Sequence, residues 1–341
     1  MTWLAAAGGM SGAGAAGGHP AGMGMSGMGG MGSVPVDFHN LWSLWAPGPF
    51  ACTVAAAAVA AVVWYLRARG RLRDRGRSWS TWRPVCFVAG VASVELGLGS
   101  SVAVLAGGSF SMHIVQHLLL MVVAPPLLAL GAPMTLALQT SSRPTKVALL
   151  KALHSWPFAV VSHPVVVWFL YYGAMIGFFL SPALGFAMDH MAVMDVVNLG
   201  FLAGGTLFWW PMVGLDPVPR WRMGYGMRFL NLLAGIPFES FLGIALIMEA
   251  RPVASMYTLA GTHAGGGLLW VASELSTAVA LVPMFSQWFK ADTRQGARSD
   301  ARWDRSHQPA AEWVRPPARR PAGTRLGLAG TLAAMRREAV D

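Results

Sequence analysis

The stretch that decides the fold is SMHIVQHLLLMVVAPPLLALG, residues Ser111 to Gly131, an apolar run that opens with two histidines. About 20 apolar residues in a row cross a bilayer as an α-helix, so this run predicts a transmembrane helix. His113 and His117 are four residues apart, which places both imidazoles on one face of that helix, near the level where lipid meets water. Two polar rings at this position cost free energy unless they bind something, so the pair is the first candidate for a functional site.

The composition of the whole chain also indicates a membrane protein. Of its 341 residues 55% are hydrophobic and only 12% are charged, and the mean hydropathy is +0.49. Ordinary soluble domains have about 25% charged residues. Seven apolar runs predict an all-α fold, a bundle of seven transmembrane helices. The predicted helices cover residues 46–66, 84–106, 112–135, 163–181, 191–211, 229–249 and 265–288.

The basic residues predict the orientation of this bundle. All but one of the 25 Lys and Arg residues follow the first, third, fifth or seventh predicted helix, and the exception is Arg251. Cytoplasmic loops carry the excess of Lys and Arg, so we expect the N-terminus outside and the C-terminus in the cytoplasm. The net charge of +10 is therefore interpreted as a topology signal, and no nucleic-acid partner is expected.

The same pattern divides the chain into three parts. Residues 1–45 are predicted to form a flexible extracytoplasmic tail rich in Gly, Met and His, residues 46–289 the transmembrane domain, and residues 290–341 a basic, Pro-rich cytoplasmic tail. The candidate metal-capturing residues of the first tail are His19, Met10, Met23, Met25, Met28 and Met31.

Most histidines fall on the predicted outer face, which suggests a metal site there. Imidazole and thioether ligands suit copper, and Cu(I) in particular when methionine takes part. If the third, fifth and seventh helices are neighbours, three or four ligands would meet. The candidate ligands are His113, His117, His190, His263, Asp189 and Met191. The alternative for the His pair is that both rings are hydrated helix-end residues without a ligand.

Three glutamates, Glu95, Glu239 and Glu274, lie near the midpoints of the second, sixth and seventh predicted helices. An isolated carboxylate in the membrane costs about 2.5 kcal/mol or more, so these residues are expected to face the bundle interior. They would form either an interhelical hydrogen-bond network or a transport path.

Four segments together resemble a known family. They are HIVQHLLLMVVAPPLLALGAP from His113 to Pro133, LFWWPMVGLDPVPR at 207–220, FLGIALIM at 241–248 and GGGLLWVASE at 265–274. In this order they are similar to the CtaG-type cytochrome c oxidase assembly factors of bacteria, over about residues 84–289. The resemblance implies a multi-pass protein of the bacterial plasma membrane that is needed to form active haem-copper oxidase and handles copper at the outer face. Its implied partners are oxidase subunits and copper donor proteins.

The resemblance carries over only part of the site. His113 and His117 match the family motif, whereas His190 and His263 rest on topology alone. Family members often carry further histidines in the stretch before LFWWP and in the segment before FLGIALIM, two regions in which this chain has Asp195, Asn198 and Glu239.

Three functions follow from these patterns. The first is an assembly factor that receives copper outside and passes it to the oxidase without being an enzyme. The second is a copper permease with the midplane glutamates as its path. The third, ranked lowest, is a haem-binding membrane cytochrome, because two rings on one helix face cannot clamp opposite sides of one iron. No phosphate loop, dinucleotide fingerprint or nucleophile with its base indicates an enzyme.

Overall fold

The structure is a computed structural model that describes residues 48–217, 221 and 223–307. Regular structure in this part of the chain is helical, which confirms the all-α prediction. The helices are α1 (Pro49–Asp74), α2 (Trp82–Leu98), α3 (Ser101–Ala106), α4 (Phe110–Leu118), α5 (Ala124–Leu130), α6 (Pro133–Thr140), α7 (Arg143–Leu153), α8 (Trp156–Val161), α9 (Pro164–Phe179), α10 (Ala183–Asp189), α11 (Met191–Val213), α12 (Tyr225–Met248) and α13 (Leu259–His307). The predicted N-terminal tail with His19 and His39, and residues 308–341, lie outside the described residues.

The described residues contain five helical spans long and apolar enough to cross a membrane. They are Pro49–Asp74, Phe110–Thr140, Met191–Val213, Tyr225–Met248 and Leu259–Asp304. Helices α9 and α10 give a sixth if taken together, although they are bent by 74° at their junction. Five or six spans thus stand where the sequence predicts seven, and the orientation of the termini stays a prediction.

The predicted helix at 84–106 is missing from these spans, and the one at 163–181 is present only if α9 and α10 are counted as one span. Helix α2 ends at Leu98 after 17 residues, and Ser100 is extended and caps α3 by accepting a hydrogen bond from the Val102 amide. The same hydroxyl donates to the Leu96 carbonyl at 2.6 Å. A serine that bonds to the backbone on both sides competes with a continuous helix, so this apolar run is split into two helices.

A π-helical segment, Leu119–Val123, joins α4 to α5 directly after the His pair. Pro125 and Pro126 follow it, and neither has an N–H to donate to the Met121 carbonyl four or five residues earlier. Trp209 of α11 supplies the missing donor, with its indole Nε1 at 3.1 Å from the Met121 oxygen. The break in the helix is therefore stabilised from a neighbouring helix, as membrane helices with proline require.

Two glycines allow the neighbouring helices to approach this region closely. A Cβ on Gly205 of α11 would come within 2.9 Å of the Met121 carbonyl oxygen. A Cβ on Gly265 of α13 would collide with the Phe110 ring. The lack of a side chain at Gly265 thus lets α13 pack against the helix that carries the His pair.

Asp216, after α11, fixes the start of α6. Its carboxylate accepts hydrogen bonds from the amides of Thr135 at 2.7 Å and Met134 at 3.1 Å, just after Ala132, whose φ of 51° is left-handed. Burial raises the pKa of Asp216, and the two N–H donors oppose that rise. The contact joins the segment at 207–220 to the two residues that directly follow the segment His113 to Pro133.

The described residues fall into two compact units, divided between Ala280 and Leu281. All the contacts described below lie within the first unit.

Candidate functional site

The His pair lies on the buried face of α4. Ser109 caps this helix by accepting a hydrogen bond from the Met112 amide, and His113 and His117 follow one turn apart. Their Nε2 atoms are 2.9 Å apart, and each side chain is only 1% exposed. The alternative of hydrated helix-end rings is therefore wrong, because the protein itself encloses both imidazoles.

Aromatic rings form most of the enclosure. The Phe201 ring meets His117 edge-on with 4.6 Å between ring centroids, and the Phe179 ring does so at 5.1 Å. Phe178 and Phe110 complete the surroundings of His113. An apolar wall of this kind keeps water out, and it strengthens any electrostatic interaction made inside it.

Tyr257 is the polar neighbour of the pair. Its hydroxyl oxygen is 3.2 Å from Nδ1 of His113, 2.9 Å from the Ala106 carbonyl oxygen and 3.6 Å from the Met188 sulfur. The side chain is 4% exposed, and burial raises the pKa of its phenol above the usual value of 10.0. Tyr257 is therefore a neutral hydrogen-bonding group at physiological pH.

The segment between α12 and α13 that presents Tyr257 is held at both ends. The His263 ring is hydrogen-bonded through Nε2 to the Glu249 carbonyl at 2.9 Å. Thr262, fully buried, accepts a hydrogen bond from the Val253 amide at 3.4 Å. His263 thus has a structural partner in the loop.

The other predicted ligands do not reach the pair. Asp189 and His190 are exposed at the junction of α10 and α11, where the His190 ring bonds through Nδ1 to the Phe186 carbonyl at 2.8 Å. Met191 is 84% exposed. Within the described part of the chain no three His, Cys, Asp or Glu side chains form a group that could hold a metal. Of the six predicted ligands the structure brings together His113 and His117, and metal binding by these residues stays a prediction.

Tyr257 and Met188 are the site residues that the sequence analysis missed. Tyr257 is 144 positions from His113, and no spacing rule connects residues so far apart. The only available signal was a single polar aromatic residue in a short loop on the histidine-rich side.

The glutamates form part of the expected network. Ser240 donates to Oε1 of Glu274 at 2.5 Å, which links α12 to α13. Oε2 of Glu239 and both oxygens of Glu95 are buried with no partner among the described residues.

A cavity of about 450 Å³ lies in another part of the fold, beside Asp216 and Arg228. Arg228 donates to the Met223 carbonyl at 3.1 Å and to the Met212 carbonyl at 3.4 Å. Its guanidinium therefore holds the end of α11 to the start of α12.

The apolar spans define a multi-pass membrane protein. More narrowly, the chain belongs to the family of cytochrome c oxidase caa3 assembly factors (Caa3_CtaG), whose model matches residues 63–291. This match confirms the resemblance seen in the sequence.

Relatives of known sequence occur in mycobacteria. The uncharacterized proteins Mb0105 of Mycobacterium bovis and MT0111 of Mycobacterium tuberculosis are each 30% identical over 273 residues, which cover 75% of this chain and 41% of the relative. The uncharacterized protein ML1998 of Mycobacterium leprae is 28% identical over 291 residues, covering 80% of this chain and 44% of its own. The chain thus spans about two-fifths of the length of these relatives. No solved structure matches the chain.

Proposed function

We propose that this protein binds copper, preferably as Cu(I), at His113 and His117 on the outer side of the membrane and passes it to cytochrome c oxidase during assembly. Membership of the assembly-factor family supports the link to the oxidase. The observation that carries the copper proposal is the 2.9 Å separation of two Nε2 atoms inside an enclosure from which water is largely excluded.

The separation fits one small ion. Metal–imidazole bonds are about 2.0–2.1 Å long, so an ion bound equally by both nitrogens would see them at about 90°. Two adjacent coordination positions would then be filled by the protein, and the others would be left for donors on a partner. The haem alternative is disfavoured by the same contact, because axial ligands must lie on opposite sides of the iron.

An incomplete ligand set suits a carrier. A site with two protein ligands holds its cargo less firmly than a closed site of four, and an oxidase subunit or copper donor protein can add ligands during transfer. Soft thioether ligands favour Cu(I), and the Met-rich segment at residues 8–32 is proposed to capture the ion before it reaches the pair. In this role the protein has no turnover chemistry.

The direct test is copper binding by the purified full chain. Under anaerobic conditions Cu(I) is titrated against a colorimetric chelator for wild type, His113→Ala, His117→Ala and the control His190→Ala. We expect wild type and the control to hold the same amount of copper with the same affinity. Both pair variants should lose the ion held by the pair and retain only the copper captured by residues 8–32. Equal binding by all four proteins would overturn the copper site, and a Soret band in the purified protein would favour haem.

A copper permease is the second candidate, supported by the intramembrane polar residues. Glu239 is 5% exposed and its Oε2 has no partner in the described part of the chain, although it lies next to the Ser240–Glu274 contact. A buried carboxylate oxygen with a free lone pair can bind a proton or cation, as transport paths require.

A further inference from the structure

We infer that Tyr257 is a positioning residue for the His pair: it fixes the proton of His113 on Nδ1, so that the Nε2 lone pair of His113 points at Nε2 of His117, across the gap that an ion shared by the two rings would occupy. The effect of Tyr257 on copper binding rests on the proposed function. The assignment of the hydrogen bonds does not depend on it.

The first step concerns the single proton of the Tyr257 hydroxyl. The Ala106 carbonyl, 2.9 Å away, can only accept, and it belongs to the last turn of α3, where carbonyls lack helical donors. The phenol therefore donates to Ala106. Its oxygen is left to accept from His113, so Nδ1 of His113, at 3.2 Å, carries a proton.

The second step follows from the neutral form of the ring. A neutral imidazole has one N–H, so His113 with a proton on Nδ1 presents a lone pair at Nε2. His117 must then donate from its own Nε2 across the 2.9 Å contact. An ion bound by both Nε2 atoms would displace this proton, which would leave the ring or move to Nδ1 of His117.

The third step is an independent check at the far end of this chain of hydrogen bonds. If His117 is protonated on Nε2, its Nδ1 has a lone pair and no hydrogen. This Nδ1 is indeed buried without a partner among the described residues. Buried acceptors without partners are tolerated more often than buried N–H groups, so the observed environment fits this direction of the chain and opposes the reverse one.

The hydrogen bonds thus run from His117 to His113, from His113 to Tyr257 and from Tyr257 to Ala106. Such outer groups orient a metal-binding imidazole and select its tautomer, and their loss commonly lowers metal affinity about 10–100-fold. Tyr257 can do this because the Glu249–His263 and Val253–Thr262 contacts hold its loop at both ends.

The assignment is tested by ¹⁵N NMR of histidine-labelled apo protein in bilayers, with wild type, Tyr257→Phe and the control Tyr225→Phe. Tyr225 is an exposed tyrosine on α12. In wild type and the control we expect His113 to show a protonated Nδ1 and an unprotonated Nε2. In Tyr257→Phe the acceptor is gone, and the His113 population should shift toward the Nε2-protonated tautomer.

The same three proteins are then titrated with Cu(I). We expect Tyr257→Phe to bind about 10–100-fold more weakly than wild type, with Tyr225→Phe unchanged. Wild-type His113 protonated on Nε2, an unchanged tautomer in Tyr257→Phe, or unchanged copper affinity in that variant would each overturn the inference. Failure of wild type to bind copper would instead overturn the proposed function, while the apo spectra would still decide the hydrogen-bond assignment.

Discussion

The indole nitrogen of Trp209 donates its proton to the main-chain carbonyl of Met121, across 88 residues of sequence. In the span that carries the His pair, the residues at i+4 and i+5 from Met121 are both prolines. Proline has no backbone N–H, so neither residue can donate to the Met121 carbonyl from within the same helix. A side chain of the LFWWP segment thus completes the backbone of the HIVQH segment. The two motifs act as one structural unit.

Trp209→Phe should therefore destabilise the protein, because it removes the donor and leaves a buried carbonyl unpaired. Such a loss costs about 1–3 kcal/mol, and the lower part of that range is expected within a membrane. The measurement is the thermal unfolding midpoint in detergent. Trp210→Phe is the matched control, since the neighbouring indole nitrogen is buried without a partner among the described residues. Equal midpoints for the two variants would show that the hydrogen bond contributes nothing.

Asp216 should be needed for the start of α6. Asp216→Ala removes the acceptor of both the Met134 and the Thr135 amides and should cost about 1–3 kcal/mol. Asp216→Asn keeps one acceptor oxygen and should fall between wild type and the alanine variant. Unfolding midpoints in detergent give the order, with the exposed Asp189→Ala as the control. An alanine variant as stable as wild type would contradict the role of the carboxylate.

The fixed pair and the Met-rich tail should respond differently to copper supply. His113→Ala or His117→Ala should abolish oxidase activity even with ample copper, because transfer geometry is lost. Deletion of residues 8–32 should reduce activity only when copper is scarce, since capture can be replaced by concentration. Oxidase activity of the three strains is followed across a copper titration. Full rescue of both histidine variants by added copper would show that the pair is dispensable for transfer.

Glutamine at Glu239 or Glu274 should be tolerated if these residues form a structural network. The amide retains an acceptor oxygen, which at position 274 can still accept from Ser240, so protein level and oxidase assembly should stay near wild type. Cellular copper content is measured in parallel. Loss of copper accumulation with a normal protein level would favour the permease.

The orientation predicted from the basic residues can be tested by labelling single cysteines, after replacement of the free Cys52 and Cys86. Cysteines at positions 12 and 181 should react with an impermeant reagent added outside, and one at position 298 should not. External labelling at position 298 would reverse the orientation and place the His pair on the cytoplasmic side.

Hydropathy and spacing predicted the class of fold and the His pair because both depend on local sequence. The length of an apolar run predicts a membrane helix, and a spacing of four residues places two side chains on the same helix face. Hydropathy does not predict the split between α2 and α3, because it does not register the hydrogen bonds of the Ser100 hydroxyl to the backbone of Leu96 and Val102. The predictions for His190 and His263 as ligands relied on their predicted side of the membrane, which does not reveal local hydrogen bonds. Each of the two rings has a backbone carbonyl as its partner.

The π-helical segment between His117 and Ala124 has a consequence for any comparison of sequences in this region. A π-turn spans five residues where an α-turn spans four, so the segment contains about one residue more than a regular helix would need, and one residue corresponds to about 100° of rotation. A helical wheel drawn with uniform period from Phe110 to Leu130 therefore assigns the wrong face to every position after Leu119. Alignments should accept a one-residue gap within 119–123, and scanning mutagenesis should treat the histidine half and the proline half as two separate registers.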